Sequence, residues 1–228
     1  MISLIKIEFL KLKRRDKRLA IIITCLAVSM LLIPAVRSKR IDNWVQVIQF
    51  NSHSINFVTN IFLCVLLSEL FITEYKDKTI NVMFSYPISR TKIYIAKMVV
   101  VFSYCYFIVI INTISSIGVL LALNSIKPFI KDSINLSVII KGVNITLIGI
   151  IISTLLTVIY SFFAIVKRSF LLMIIFSTIM HSIKGILQTS YPMLYLRLPL
   201  ILLGISLLTV IPIVYTLNNR DVICSEGK

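Results

Sequence analysis

Apolar stretches separated by short polar segments make up most of this chain of 228 residues. A helix rising ~1.5 Å per residue needs about 20 apolar residues to cross a ~30 Å hydrocarbon core. The stretches favour helices, because membrane-barrel strands alternate in polarity over about ten residues. The first stretch is short; the third and fourth are long enough to include interfacial turns, with Lys97 and Lys141 at headgroup depth. We predict six spans, at residues 19–36, 53–73, 93–123, 138–166, 169–187 and 197–217.

The composition supports this pattern, because 58% of the residues are hydrophobic and only 14% are charged. A soluble domain has about 45–50% apolar and about 25% charged residues, so lipid must solvate most of this chain. The net charge is +15. The basic residues that produce it flank the apolar stretches and form no face of a soluble fold, which argues against nucleic acid as a partner. We therefore predict an all-α, polytopic membrane protein with residues 1–228 in a single transmembrane domain. The four cysteines form no CxxC pair, so neither a disulfide nor a metal site is predicted.

The distribution of Lys and Arg predicts the orientation. Sixteen of these residues lie in the N-terminus, in the segments after the second and fourth stretches, or in the C-terminal tail, and eight lie in the other connections. Positive charge concentrates on the cytoplasmic side of membrane proteins. The N- and C-termini are thus predicted to be cytoplasmic.

The first 18 residues carry apolar side chains at nearly helical spacing, at Ile2, Ile5, Phe9 and Leu12. Lysines occupy the other faces, which predicts an amphipathic helix at residues 1–18 in the anionic membrane interface. A charged flank of the first span is the alternative. The segment 41–50, which contains Trp44, mixes apolar residues with Asn and Gln and is predicted to be a second interfacial helix, or a lid over a substrate path.

A polar segment follows the second apolar stretch. Residues 76–85 show helical periodicity, with Ile80, Met83 and Phe84 on one face, and the Tyr86-Pro87 pair ends the pattern. Such a helix, held between two membrane helices, suits docking into a groove on a soluble partner. The alternative is a solvated connector whose apolar face rests on the membrane.

Three features of this segment suggest a family: Glu74 five residues before Thr79, the run Pro87-Ile88-Ser89-Arg90, and Lys97 early in the next span. They resemble the signature of ABC-2-type permeases, except that Lys78 stands where Gly is usual. The stretch from Leu4 to Arg18 is similar to the N-terminus of bacitracin- and lantibiotic-protection permeases.

The resemblance implies the membrane subunit of a bacterial ABC exporter in the cell membrane, and not an enzyme. Two copies of an ABC ATP-binding subunit would bind ATP and Mg, this chain would hold no cofactor, and a second permease, identical or a sister chain, would complete the assembly with the membrane lipids. No G-x-x-x-x-G-K-[ST] motif occurs in the chain. The implied cargo is amphipathic, with antimicrobial peptides favoured over other lipid or peptide cargo. The segment's pattern and the resemblance together assign ATPase coupling to Glu74, Lys78, Thr79, Ile80, Met83, Phe84, Pro87 and Arg90.

Polar residues inside the spans are candidates for a gate or substrate path: Glu69, Lys97, Asn112, His181 and Lys184. Glu69 is predicted to pair with Lys97 or Arg90, or else to extend toward water. His181 and Lys184 share a helical face and would contact an anionic or peptide substrate or a lipid headgroup, with anchoring at the outer interface as the alternative. Asn112 either joins helices or lines a path. His53 has no partner at ligand spacing and is predicted to be interfacial.

Two other functions compete with transport. An intramembrane protease or lipid transferase needs ionisable groups that converge at membrane depth. The topology puts Glu69 near one face of the membrane, and His181 and Lys184 near the other. A non-catalytic scaffold or sensor subunit is the second competitor.

Overall fold

A bundle of long helices makes up the fold. The computed structural model describes residues 1–12, 15–37, 43–76, 89–126 and 135–219, and these residues form helices and no strand. The all-α prediction is confirmed for this part of the chain. The helices are α1 (Ile2–Leu12), α2 (Arg15–Arg37), α3 (Trp44–Leu67), α4 (Thr73–Lys76), α5 (Arg90–Ile126), α6 (Leu136–Phe162), α7 (Phe170–Ser190) and α8 (Pro192–Asn219). Two π-helical segments, Ser68–Ile72 and Phe163–Lys167, follow α3 and α6 without a break.

Five helical segments within the described residues are long and apolar enough to cross a membrane: Trp44–Ile72, Arg90–Ser125, Leu136–Lys167, Phe170–Gln188 and Met193–Leu217. The prediction of six spans is therefore not confirmed. The apolar part of α2, Leu19–Pro34, is shorter than the other five. At ~1.5 Å per residue it extends roughly 24 Å, less than the ~30 Å hydrocarbon core.

The helix predicted at residues 1–18 is not confirmed. Residues Arg15 to Arg18 are described as part of α2, α1 is described as far as Leu12, and residues 13–14 lie outside the described residues. Helices α5 and α6 run without interruption and are each longer than the hydrocarbon core requires, and the interfacial turns predicted for these stretches stay a prediction. Trp44 does not lie in a separate interfacial helix or lid: it begins α3, and its side chain is buried beside Val47 and Leu120.

Helix α3 is the central helix of the bundle, and it packs against α2, α5, α6 and α7. Two glycines let neighbouring helices approach it closely. A Cβ atom on Gly149 of α6 would lie 2.7 Å from Asn56 Nδ2, and one on Gly185 of α7 would lie 2.8 Å from His53 Cε1. Small residues at helix contacts are a common means of close packing in membranes. Here they make room for polar side chains of α3.

One end of the bundle gathers α1, the end of α3, the start of α5 and the ends of α6 and α8; we call it the α1 end. Tyr94 of α5 and Ser161 of α6 share a hydrogen bond of 3.0 Å between their hydroxyls. The two π-helical segments contact each other at the same end. The turn after the second segment is tight, because Arg168 adopts a left-handed φ of 51° and Ser169 Oγ accepts a hydrogen bond from the amide of Leu172.

Candidate functional site

Four charged side chains form a closed ring at the α1 end. Lys97 Nζ lies 3.3 Å from Glu8 Oε2 and 2.6 Å from Glu74 Oε2. Lys11 Nζ lies 3.3 Å from Glu8 Oε1 and 3.1 Å from Glu74 Oε1. Each lysine thus bridges the same two carboxylates, and the two positive and two negative charges cancel. We call Glu8, Lys11, Glu74 and Lys97 the ion-pair ring.

Lys97 and Glu8 are the buried members of the ring, and Lys97 holds the ring to the membrane helices. Its side chain is 2% exposed, and Nζ also donates to the carbonyl of Leu70 at 2.9 Å. Leu70 lies in the π-helical segment after α3, and such segments are frequent at functional sites. The ring of Phe71 lies beneath the ammonium, with 5.6 Å from Nζ to its centroid. The protein encloses the Lys97 side chain, and its predicted headgroup depth stays a prediction.

Lys11 is the outer member of the ring, with 40% of its side chain exposed. Burial by itself would lower the pKa of Lys11, but the charges of Glu74 and Glu8 and their hydrogen bonds outweigh it. The pKa of Lys11 is therefore raised above its usual 10.5. Lys11 is charged at neutral pH, and α1 is tied to the bundle by charged groups on both sides.

The ring joins three parts of the chain that are distant in sequence. Glu8 lies on α1, Glu74 in the short helix α4 that ends the α3 segment, and Lys97 on α5. Phe9 of α1 also stacks on Tyr104 of α5, with ring centroids 5.9 Å apart. Because Glu74 lies three residues before residue 77, the ring anchors the chain where the predicted coupling segment begins.

Arg90 anchors the chain on the other side of that segment. It is the first residue of α5, and its Nη1 donates to the carbonyl of Leu217 at 2.9 Å. Leu217 lies in the last turn of α8, where helix carbonyls lack partners within the helix and positive charge is favourable. Arg90 thus ties the start of α5 to the end of α8.

The remaining residues predicted to couple to an ATPase are Lys78, Thr79, Ile80, Met83, Phe84 and Pro87. All six lie outside the described residues, as does nearly all of the helix predicted at 76–85. Their roles stay predictions. The predicted pair between Glu69 and Lys97 is not formed, because the Lys97 ammonium binds Glu8 and Glu74 instead.

Polar side chains also join the helices in the middle of the bundle. Asn112 Nδ2 of α5 donates to Thr24 Oγ1 of α2 at 3.5 Å. Asn51 Nδ2 of α3 donates to Ser116 Oγ of α5, and Ser153 Oγ of α6 donates to Asn56 Oδ1 of α3, both at 2.9 Å. Asn112 therefore joins two helices, which is one of the two roles predicted for it. A role for it in a substrate path stays a prediction.

A second cluster of ionisable side chains lies between α3 and α7. His181 Nε2 lies 2.8 Å from His53 Nε2, and Lys184 follows His181 by three residues on α7. Lys184 is 1% exposed and His181 is 5% exposed. The prediction that His53 has no partner is wrong, because the fold brings it to His181 across 128 positions of sequence. Its predicted interfacial position stays a prediction. Anchoring of His181 and Lys184 at the outer interface is also wrong, because both side chains are enclosed by protein.

Sequence reasoning missed Glu8 and His53 as members of these clusters. Glu8 did leave a signal: with Asp16 it is one of only two acids among the first 18 residues, in a strongly basic segment. His53 left none, because nothing in its neighbourhood in the sequence points to α7.

The long apolar helices and the buried charge clusters define a multi-spanning helical membrane protein. A family model described as ABC-2 family transporter protein matches residues 4–184, and the chain belongs to this family of transporter membrane subunits. The chain is also similar to the uncharacterized protein YcbO of Bacillus subtilis (strain 168), with 38% identity over 79 residues. That match covers 35% of this chain and 35% of the relative.

Proposed function

We propose that the chain is the permease of an ABC exporter, which couples ATP hydrolysis in a separate ATP-binding subunit to export of an amphipathic substrate. In this proposal two ATP-binding subunits bind ATP and Mg, and a second permease, identical or related, pairs with this one. The α1 end and both termini face the cytoplasm, where positive charge accumulates. The favoured cargo is an antimicrobial peptide, whose export protects the cell.

The observation that carries the proposal is the anchoring of the chain on both sides of residues 77–88. Glu74 is held by Lys97 Nζ at 2.6 Å and by Lys11 Nζ at 3.1 Å. Arg90 is held by the carbonyl of Leu217 at 2.9 Å. A segment fixed at both ends transmits displacement to the helices that hold it, which is what coupling to an ATPase requires.

The mechanism follows from these anchors. Closure of the two ATP-binding subunits moves the segment 77–88, and Glu74 transmits the movement to α3 and, through Lys97, to α5. Because the ring also includes Glu8, α1 moves with them along the membrane surface. The bundle then alternates between inward-open and outward-open states, and ATP binding shifts the equilibrium between these two states. Glu69 lies in the π-helical segment whose Leu70 carbonyl binds Lys97, and in this proposal it acts at the cytoplasmic gate.

Co-purification with the ATP-binding subunit tests the proposal. Replacing Phe84 with aspartate places a charge on the apolar face predicted to dock in the partner's groove, so Phe84→Asp is expected to weaken the complex at least roughly tenfold. The matched control is Ser85→Asp, which adds the same charge at a position of the predicted helix that faces away from Ile80, Met83 and Phe84. An unchanged complex with Phe84→Asp, or equal loss in both variants, would contradict docking through this face.

A further inference from the structure

The side chains of Lys97 and Lys184 are both buried, but they differ in their hydrogen-bond partners. Lys97 has two carboxylates and a backbone carbonyl as partners. Lys184, equally enclosed, has no hydrogen-bond partner for Nζ among the described residues. An unpaired ammonium in a protein interior costs several kcal/mol, and an ionisable group kept inside a membrane segment at such a cost indicates a functional site.

A second polar atom near Lys184 also lacks a partner. The Nδ1 atom of His181 makes no hydrogen bond within the described part of the chain. Its Nε2 atom lies 2.8 Å from Nε2 of His53, so one of the two nitrogens carries the proton and the other accepts. When His53 donates, the proton of neutral His181 is on Nδ1, which becomes a donor. His53 is held in place for this, since its ring packs 4.0 Å from the ring of His181 and fits against Gly185.

Two donors are thereby placed one turn apart on the same face of α7. Residues three apart on a helix have Cβ atoms about 5–6 Å apart, within the span of one oxyanion bound by both side chains. A lysine ammonium and an imidazole N–H are both donors to phosphate oxygens. No ion pair of the described residues supplies Lys184 with a carboxylate, so a bound anion would complete the site.

We propose that His181 and Lys184, with His53 orienting the imidazole, bind the phosphate group of a ligand that enters the bundle from the membrane. The outward face of α7 is apolar, with Ile179, Ile183 and Ile186 exposed. Because the cluster is enclosed in this structure, entry requires α7 to separate from α3, and the opening would face lipid. The site does not depend on the proposed export function, because a peptide cargo carries no phosphate group and the ligand would be a separate phosphate-bearing molecule.

Binding is measured on the purified full chain in maltoside micelles, which contain no phosphate, and without any ATP-binding subunit. The probes are phosphatidic acid, diacylglycerol with the same acyl chains, and inorganic phosphate against chloride at equal ionic strength. We expect phosphatidic acid to raise the melting temperature and diacylglycerol not to. Binding of inorganic phosphate at comparable affinity would identify free phosphate as a ligand, and binding of phosphatidic acid alone would identify a lipid headgroup.

Two pairs of variants test the residues. Lys184→Met is expected to weaken binding at least roughly tenfold, whereas Lys141→Met, at an exposed lysine of α6, leaves it unchanged. His181→Gln keeps a polar atom near the position of Nε2 and loses Nδ1, so it should lose binding. His181→Asn keeps a donor near the position of Nδ1 and should retain more. This second pair tests the site if Lys184→Met does not fold.

Two results would overturn the proposal: the wild-type chain binds neither phosphatidic acid nor phosphate, or Lys184→Met and His181→Gln bind as tightly as wild type. Neither result bears on co-purification with the ATP-binding subunit, which the Phe84→Asp experiment tests separately. A failure of the phosphate site is therefore distinguishable from a failure of the exporter proposal.

Discussion

Replacing Lys97 with methionine should destabilise the protein far more than the same change at Lys11. Both lysines contact Glu8 and Glu74, but the Lys97 side chain is 2% exposed and that of Lys11 is 40% exposed. Removing one partner of a buried ion pair costs about 3–5 kcal/mol, because the remaining charge is left uncompensated. An exposed pair contributes about 0.2–1 kcal/mol. We expect a difference of roughly 2–4 kcal/mol between Lys97→Met and Lys11→Met.

The assay is the free energy of unfolding of the purified full chain in mixed micelles titrated with SDS. Lys92→Met, at an exposed lysine of the same helix, is the control for a lost charge that has no buried partner. The double variant Glu8→Gln/Lys97→Met removes the buried carboxylate together with its ammonium. It should therefore be less destabilised than the sum of the two single changes.

The reasoning about the ring fails if Lys97→Met lies within about 0.5 kcal/mol of Lys11→Met, because burial would then have no effect on the pair. It also fails if the double variant equals the sum of the single variants, since partners in one ion pair must be coupled. Either result would leave α1 attached by its apolar contacts alone, such as Leu12 and the stacking of Phe9 on Tyr104.

Two further predictions concern contacts between helices. Gly149→Ala should destabilise by about 1–3 kcal/mol in the same assay, because its Cβ atom would displace the Asn56 side chain from its bonds to Ser153 and Ser52. Arg90→Met should speed hydrogen exchange in the last turn of α8, because the carbonyl of Leu217 loses a charged donor.

The variants Gly149→Ala and Arg90→Met each have a matched control in the chain. A Cβ atom on Gly118 would meet nothing within 4 Å, so Gly118→Ala should be neutral or slightly stabilising, as expected for glycine in a helix. Equal loss of stability in both glycine variants would show that the contact with Asn56 is not the cause. Lys92→Met, two residues after Arg90, should leave exchange in α8 unchanged, and an equal change in both variants would argue against the contact with Leu217.

The sequence by itself determined the membrane class and the all-helical fold, because the length of an apolar stretch is a local property that the bilayer thickness converts directly into a helix. It also showed that Glu74 and Lys97 are charged residues at the ends of apolar stretches, which marked them as candidate functional residues. It did not determine how many stretches span the membrane: α2 is an apolar helix of borderline length, and its neighbours decide how it is accommodated.

Only the tertiary structure decided which charges meet. Lys97 binds Glu8 across 89 positions and His53 meets His181 across 128, and neither distance follows from helical periodicity. The tertiary structure also decided that Trp44 is buried, because α5 packs against α3 and brings Leu120 to it. The sequence could not decide this, since a face of mixed apolar and polar residues suits a protein neighbour as well as a membrane surface. Periodicity shows which residues share a face of a helix, whereas the identity of the facing helix depends on how the whole bundle packs.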